Sequence, residues 1–261
     1  MREVMLQAGT LWQREIVRFA RQRSRLTGAL LQPLVFWLLL GAGLNASFRP
    51  AGMPAGINYA QYFYPGVIVL VLLFTAIFAT ISTVEDRKQG FLQGVLVAPI
   101  SRSTIVLGQA AGGTTLALAQ GVIFLMLAPL AGIKLSVGAI LVSASMMAVI
   151  AFALTSIGLV IAWRIESTQG FHAIMNLILI PIWMLSGAFF PVDGAPFWLQ
   201  LTMRLNPLTY AMAALRQGLY LAEPAQIGAT MPLASSVLVA IAFAAFAFTL
   251  ATLVARRAST I

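Results

Sequence analysis

The chain has 261 residues, of which 60% are hydrophobic and only 9% are charged. A soluble globular domain carries about 25% charged residues, so this composition excludes a domain surrounded by water. Membrane topology explains the net charge of +9 better than nucleic-acid binding does. With no cysteine and a single histidine, we expect neither a disulfide nor a metal site.

Residues 1–25 are predicted to form an amphipathic helix at the membrane interface. Arg14, Arg18 and Arg21 recur at spacings of four and three, and Trp12 lies on the opposite, apolar face. We expect these four residues to face either the membrane or a cytoplasmic partner. A plain solvated helix is the alternative interpretation, and the many arginines argue against a secretory signal.

Six stretches without charged residues are long enough to span a bilayer, because a spanning helix needs about 20 mostly apolar residues. The apolar run 67–74 does not alternate as the strands of a membrane barrel do. The predicted spans are 26–45, 61–84, 104–132, 137–163, 169–190 and 232–255. The expected fold class is therefore an all-α integral membrane protein with six transmembrane helices, forming one domain over residues 1–261.

The basic residues also predict an orientation. With six spans both ends of the chain share one side, which holds twelve lysines and arginines against four on the other. Because basic loops stay on the cytoplasmic side, both termini are expected to be cytoplasmic.

Residues 85–100, between the second and third spans, are predicted to form a short amphipathic helix on the cytoplasmic side. Its apolar face would consist of the following side chains: Phe91, Leu92, Val95 and Leu96. Pro99 should end the helix or stand just beyond it, and Ser101 is a candidate N-cap of the third span. An ordinary interfacial loop is the alternative.

The external segment 191–223 contains two short apolar stretches that are interrupted at Pro207. Each stretch is too short to span a bilayer, and Asp193, Arg204 and Arg216 argue against one continuous span. A re-entrant helical hairpin before the last span is expected. An aromatic belt at the membrane interface is the alternative.

The order of these elements resembles the permeases of type-2 ABC transporters. The matching residues of the loop are Glu85, Arg87, Gly90, Leu92, Leu96, Pro99, Ser101 and Gly108. The departures are Lys88, Phe91 and Gln109. Phe91 and the run Pro99-Ile100-Ser101-Arg102 look closest to the antibiotic-resistance and nodulation-factor branches. The resemblance implies that the loop is a coupling helix that docks into an ATPase, and that the external hairpin caps a transport pathway.

The energy source is expected to lie outside this chain. The predicted spans hold no central charged residue of the kind that ion-coupled carriers use, and His172 is read as an interfacial polar residue. A P-loop needs Gly-Lys-Ser or Gly-Lys-Thr, but neither of the two lysines, Lys88 and Lys134, follows a glycine. We therefore expect no catalysis and no cofactor here, with ATP and magnesium held by a partner ATPase.

The resemblance implies a permease subunit of an ATP-driven exporter in the bacterial inner membrane. Its expected partners are two ATPase copies, a second permease chain and lipids, and its expected substrate is amphipathic: lipid-like, drug-like or a glycoconjugate. The residues expected to couple to the ATPase are Glu85, Arg87, Gly90, Phe91, Leu92, Leu96 and Pro99. The candidates for the pathway are Tyr62, Tyr64, Thr75, Phe78, Met175, Asn176 and Met184. A scaffold or assembly factor without transport is the main alternative, followed by an intramembrane enzyme.

Overall fold

The computed structural model describes residues 2–45, 48–54, 56–97, 100–224 and 231–257. The regular structure of these residues is helical throughout. The α-helices are α1 (Arg2–Arg21), α2 (Arg23–Phe36), α3 (Ala42–Asn45), α4 (Tyr59–Lys88), α5 (Phe91–Val97), α6 (Arg102–Leu127), α7 (Val137–Ala162), α8 (Thr168–Trp183), α9 (Phe197–Leu205), α10 (Pro207–Leu219) and α11 (Leu233–Arg257). A π-helical turn, Trp37–Gly41, joins α2 to α3, and a second one, Met184–Ala188, extends α8.

Six of the described helices are long and apolar enough to cross a membrane, which confirms the predicted number. They are Ser24–Leu44, Tyr59–Lys88, Arg102–Ala131, Val137–Ala162, Thr168–Ala188 and Leu233–Arg257. Most ends agree with prediction within about three residues. The second span continues to Lys88, beyond the predicted end at residue 84, because the charged residues that follow remain helical.

The second span, α4, is the central helix of the bundle. In its most apolar stretch 94% of the residues are buried, against 17% in the first span. It packs against α2, α6, α7 and α8. Because these neighbours surround it, its apolar residues occur on all sides instead of forming one apolar face. A capping box starts it: the Asn58 side chain accepts from the Gln61 main-chain N–H at 2.8 Å, and the Asn58 N–H donates to the Gln61 side chain at 3.0 Å.

The N-terminal helix α1 packs directly on α6. The contact depends on Gly108 and Gly112, which stand four residues apart on α6. A Cβ atom at Gly108 would lie 2.8 Å from Leu11 Cβ and 2.9 Å from the Ala8 oxygen. The same glycine spacing lets helices approach closely in membranes. Gly108, which the family resemblance singled out, thus has a packing role.

The segment before the last span consists of two short helices, α9 and α10, separated at Asn206, one residue before the predicted interruption at Pro207. The Asn206 side chain caps α10 by accepting from the Leu208 N–H at 3.0 Å. Its amide also donates to the Ile182 oxygen at 2.7 Å, which holds the hairpin against the end of α8. Its re-entrant position in a membrane stays a prediction.

Candidate functional site

The candidate site is the segment that links α4 to α6. Gly90 has φ +75°, a conformation that favours glycine, and it turns the chain from α4 into the seven-residue helix α5. The helix is shorter than the predicted range 85–100, because its first residues belong to α4. Ser101 caps α6 as expected, accepting from the Thr104 N–H at 3.1 Å.

The two faces of α5 have different surroundings. Leu92 is only 2% exposed and packs in a cluster with Ile105, Val106 and Trp163, at the ends of α6 and α7. Phe91 is 40% exposed and Val97 is 88% exposed. The expectation that Leu92 enters a groove on an ATPase is therefore corrected: Leu92 anchors α5 to its own bundle. Pro99 and the side chain of Leu96 lie outside the described structure.

An ionic cluster lies where α1 and the start of α2 meet the end of α4. It consists of Arg14, Arg18, Arg25, Glu85 and Asp86. Arg14 donates two hydrogen bonds to the Asp86 carboxylate, at 2.6 and 2.8 Å. Arg18 contacts both acids, donating to Glu85 at 2.7 Å, and Arg25 pairs with Glu85. Bidentate pairs of this kind fix the orientation of both partners.

The ionic cluster shows the surroundings of the charged candidates in the single chain. Arg14 and Arg18 were expected to face the membrane or a partner, and Glu85 to pair with charges on an ATPase; these expectations stay predictions. Within the chain each of the three forms ion pairs, while Arg21 is exposed. Asp86 and Arg25 were not among the candidate residues. The adjacent acids Glu85 and Asp86 were visible in the sequence, but the 1% exposure of Asp86 was not.

The Arg87 side chain caps the C-terminal end of α7. Its guanidinium donates to the main-chain oxygens of Ala162 at 3.1 Å and Ile165 at 3.3 Å. The last carbonyl groups of a helix have no partner within the helix, so a basic side chain at this position satisfies them. Arg87 therefore joins α4 to α7 instead of facing outward alone.

Arg14 also connects the ionic cluster to α5. Its guanidinium carbon lies 3.7 Å from the centre of the Phe91 ring, a cation–π contact. Trp12, two residues earlier on α1, donates to the Thr115 hydroxyl of α6 at 3.0 Å. A displacement of α5 would therefore act on α1, and through α1 on both α4 and α6.

Glu15 is a buried acid beside the ionic cluster. It is 6% exposed and accepts a hydrogen bond from the Ser82 hydroxyl at 2.7 Å. Burial raises the pKa of Glu15 above its ordinary value of 4.5, and the negative charge of Asp86 acts in the same direction. The Ser82 hydrogen bond and Arg14 act against this increase.

The pathway candidates fall into two groups. Four of them are buried inside this chain: Tyr62, Tyr64, Thr75 and Met175. The hydroxyl groups of the two tyrosines and of Thr75 donate hydrogen bonds, for example Tyr62 to the Gly187 oxygen at 2.9 Å and Tyr64 to the Phe124 oxygen at 2.6 Å. Phe78 is half-buried, whereas Asn176 on α8 and Met184 in the π-helical turn after it are exposed. In this conformation only these last two present a full surface to a second chain or a substrate.

Six membrane-spanning helices and an anchored connecting helix define a multi-pass membrane protein. A family model, described as ABC-2 type transporter, matches residues 6–220. The chain therefore belongs to the ABC-2 type transporter family, whose members are transport permeases rather than catalytic enzymes. Membership implies partnership with an ABC ATPase subunit.

Several relatives cover most of the chain. A protein described as a transport permease, ycf38, from Porphyra purpurea is 30% identical over 217 residues, which are 82% of this chain and 74% of the relative. The ycf38 protein of Cyanophora paradoxa is 29% identical over 209 residues, 79% of this chain and 71% of the relative. Nodulation protein J from Rhizobium leguminosarum bv. trifolii is 28% identical over 209 residues, 79% of this chain and 78% of the relative.

Proposed function

We propose that this permease subunit moves an amphipathic substrate outward across a bacterial inner membrane, powered by ATP hydrolysis on a separate subunit. The observation that carries the proposal is the position of α5. One face of α5 is buried against the bundle through Leu92, and the other face leaves Phe91 and Val97 exposed. A helix held in this way can receive a partner and transmit its motion.

The exposed face of α5 is the proposed docking surface for the ATPase. It consists of Phe91, Gly94 and Val97, with Lys88 and Gln89 beside it. Exposed apolar side chains next to a positive charge fit a groove with an apolar floor and an acidic rim. The ATPase would hold ATP and magnesium, and this chain would contribute the surface.

The proposed orientation places α5 and both termini in the cytoplasm. Arg256 and Arg257 end α11, and the ionic cluster lies at the end of α4 that joins α5. The excess of basic residues on this side supports the assignment, because basic segments remain cytoplasmic. Two permease chains and two ATPase chains would form the complete transporter.

The proposed pathway lies between the two permease chains, along α8. The exposed side chains of this helix include Asn176, Leu177 and Met184. Leu177 is 74% exposed in the single chain, and Met184 is 42% exposed. A mainly apolar surface with one amide and an adaptable methionine suits a substrate with apolar and polar parts.

The proposal is tested with the permease and its ATPase reconstituted together in vesicles. Val97→Asp on α5 is expected to reduce permease-stimulated ATP hydrolysis about tenfold or more, since a charge would occupy an apolar interface core. Val137→Asp is the matched control: Val137 is 75% exposed at the start of α7, away from α5.

The direction of transport is measured in the same vesicles. Accumulation of an amphipathic fluorescent compound in inside-out vesicles, dependent on ATP, is the expected result for an exporter.

Equal ATP hydrolysis by wild type and Val97→Asp would contradict docking through α5. Binding of the ATPase without movement of any compound would favour a scaffold.

A further inference from the structure

A cavity of about 230 Å³ lies at the other end of α4, between this helix and the α9–α10 hairpin. Its lining includes Tyr62 and Gly187. Tyr62 stands 24 positions before Asp86, which is about 36 Å along a helix at 1.5 Å per residue. The hydrocarbon core is about 30 Å thick, so the cavity and the ionic cluster lie near opposite membrane surfaces.

Arg216 is one of the two arginines that line this cavity. One of its Nη atoms donates to the Gly187 oxygen at 3.0 Å and, less closely, to the Tyr62 oxygen at 3.4 Å. The guanidinium carbon lies 4.2 Å from the centre of the Tyr62 ring. Its Nε–H is enclosed and has no hydrogen-bond partner among the described residues. Neutral oxygens and a ring thus support the guanidinium without neutralising its charge.

The charge balance of the cavity is positive. Its lining also contains Arg204 and Asp193, which approach each other at 3.7 Å and are 56% and 60% exposed. The ion pairs between described residues do not include Arg216. Two guanidinium groups therefore face one carboxylate, whereas the arginines of the ionic cluster all have acidic partners.

The hydroxyl protons of Ser186 and Thr209 in the lining are already donated to main-chain oxygens, so they are not available to a ligand. Ser186 donates its proton to the Trp183 oxygen at 2.6 Å, and Thr209 donates to the Met203 oxygen at 2.6 Å. A ligand in this cavity would therefore meet guanidinium donors rather than free hydroxyl protons. Guanidinium groups match the geometry of carboxylate and phosphate oxygens, so the lining selects for an oxyanion.

We propose that this cavity binds a phosphate or carboxylate group through Arg216. Arg216 is partly buried, and withdrawing a guanidinium from water without a counter-charge is costly, so an oxyanion would supply a favourable charge. The volume is below the ~300–1,000 Å³ of sites that enclose a whole drug-sized ligand. The ligand is thus a small anion or the charged headgroup of a lipid, and the site does not depend on the transport function.

The first experiment uses the full chain in neutral detergent and titrates inorganic phosphate at constant ionic strength, with chloride as reference. A saturable rise in the unfolding temperature is expected, because a ligand that binds only the folded state stabilises it. The second uses lipid nanodiscs with or without phosphatidylglycerol and measures the anionic lipid retained after purification. The first arm detects a free anion and the second a lipid headgroup.

Three variants and a control test the role of the residues. Arg216→Gln should weaken binding about tenfold or more, the loss expected for a charge-assisted hydrogen bond. Ala213→Phe fills the cavity and should weaken binding as much while keeping Arg216. Asp193→Asn removes the negative charge and should tighten binding about two- to fivefold, as for one partly exposed charge. Lys134→Gln removes a 77% exposed cation outside the cavity lining and should change nothing.

The site would be supported by saturable binding of phosphate or of anionic lipid that weakens in Arg216→Gln and Ala213→Phe, tightens in Asp193→Asn and is unchanged in Lys134→Gln. Binding in neither arm would overturn it, and so would equal binding to wild type and Ala213→Phe. Because Ala213→Phe and Asp193→Asn keep the hydrogen bonds of Arg216, the result does not depend on whether Arg216→Gln folds.

Discussion

The two ends of α4 stabilise arginine in different ways. At the Asp86 end, Arg14 and Arg18 form ion pairs with carboxylates. At the Tyr62 end, Arg216 donates to main-chain oxygens and lies over an aromatic ring. In the first arrangement every arginine has an acidic partner, whereas in the second Arg216 forms no ion pair with a described residue.

This difference indicates how each end responds to change. The acceptors at the Tyr62 end are main-chain carbonyl groups, which have less freedom to reorient than side chains. The carboxylates and guanidinium groups at the other end are side chains, and Arg14 also touches Phe91 of α5. The ionic cluster can therefore rearrange when α5 moves, and loss of one charge there should cost more than loss of one neutral hydrogen bond.

The strongest test of the comparison is Asp86→Ala. The substitution leaves Arg14 and Arg18 without their shared acid and is expected to lower the free energy of unfolding by about 3 kcal/mol. That is the low end of the range for buried pairs, because the two arginines are 30% and 19% exposed. Denaturant unfolding in micelles measures the change. Glu166→Ala, at an exposed acid, is the control and should have little effect.

Gly108→Val tests whether α1 must pack on α6 for the ionic cluster to form. The added side chain would meet Leu11 and Ala8, and overpacking of this kind costs about 2 kcal/mol. Faster trypsin cleavage at the arginines of α1 is expected. Gly9→Val is matched, since a Cβ there meets nothing within 4 Å. Equal cleavage of both variants would show that the glycine contact is dispensable.

Tyr62→Phe probes the neutral end of α4. It removes the hydrogen bond to Gly187 but keeps the ring under Arg216, so a loss of about 1 kcal/mol is expected. Thermal unfolding measures this change against Tyr210→Phe, whose hydroxyl has no hydrogen-bond partner among the described residues. A loss equal to that of Asp86→Ala would erase the difference between the two ends.

The smallest effect is expected for Glu15→Gln. Because the pKa of Glu15 is raised in the folded chain, the wild type should lose stability as the pH rises from 4.5 through that higher pKa. The Gln variant should lack this loss while keeping an acceptor for Ser82. Unfolding temperatures measured from pH 4 to pH 8 provide the check, and parallel curves for the two proteins would contradict it.

The sequence predicted the local features of the fold well. Charge-free stretches located the six spans, short-range capping identified Ser101 as the start of α6, and Pro207 marked the break between α9 and α10. Both signals depend on residues within one helix or one turn. Such features are readable because the physical causes, hydrophobicity and main-chain capping, act over a few neighbouring positions.

The contacts between different helices could not be predicted from the sequence in the same way. Periodicity put Phe91 and Leu92 on one face of α5 but could not indicate that Leu92 turns toward Trp163 while Phe91 meets Arg14. The pair Arg14–Asp86 joins residues 72 positions apart. Nothing in the local sequence distinguishes a paired arginine such as Arg14 from Arg216, which has no ion pair within the described ranges of the chain.

The length of α4 has a mechanical consequence. Its 30 residues extend about 45 Å, and Pro65 is its only proline, less than two turns from the start. A straight rod of that length tilted by about 5° displaces its far end by roughly 4 Å, close to one helical turn of 5.4 Å. Small rotations beside α5 would therefore change the distances around Tyr62 enough to open or close contacts between neighbouring helices.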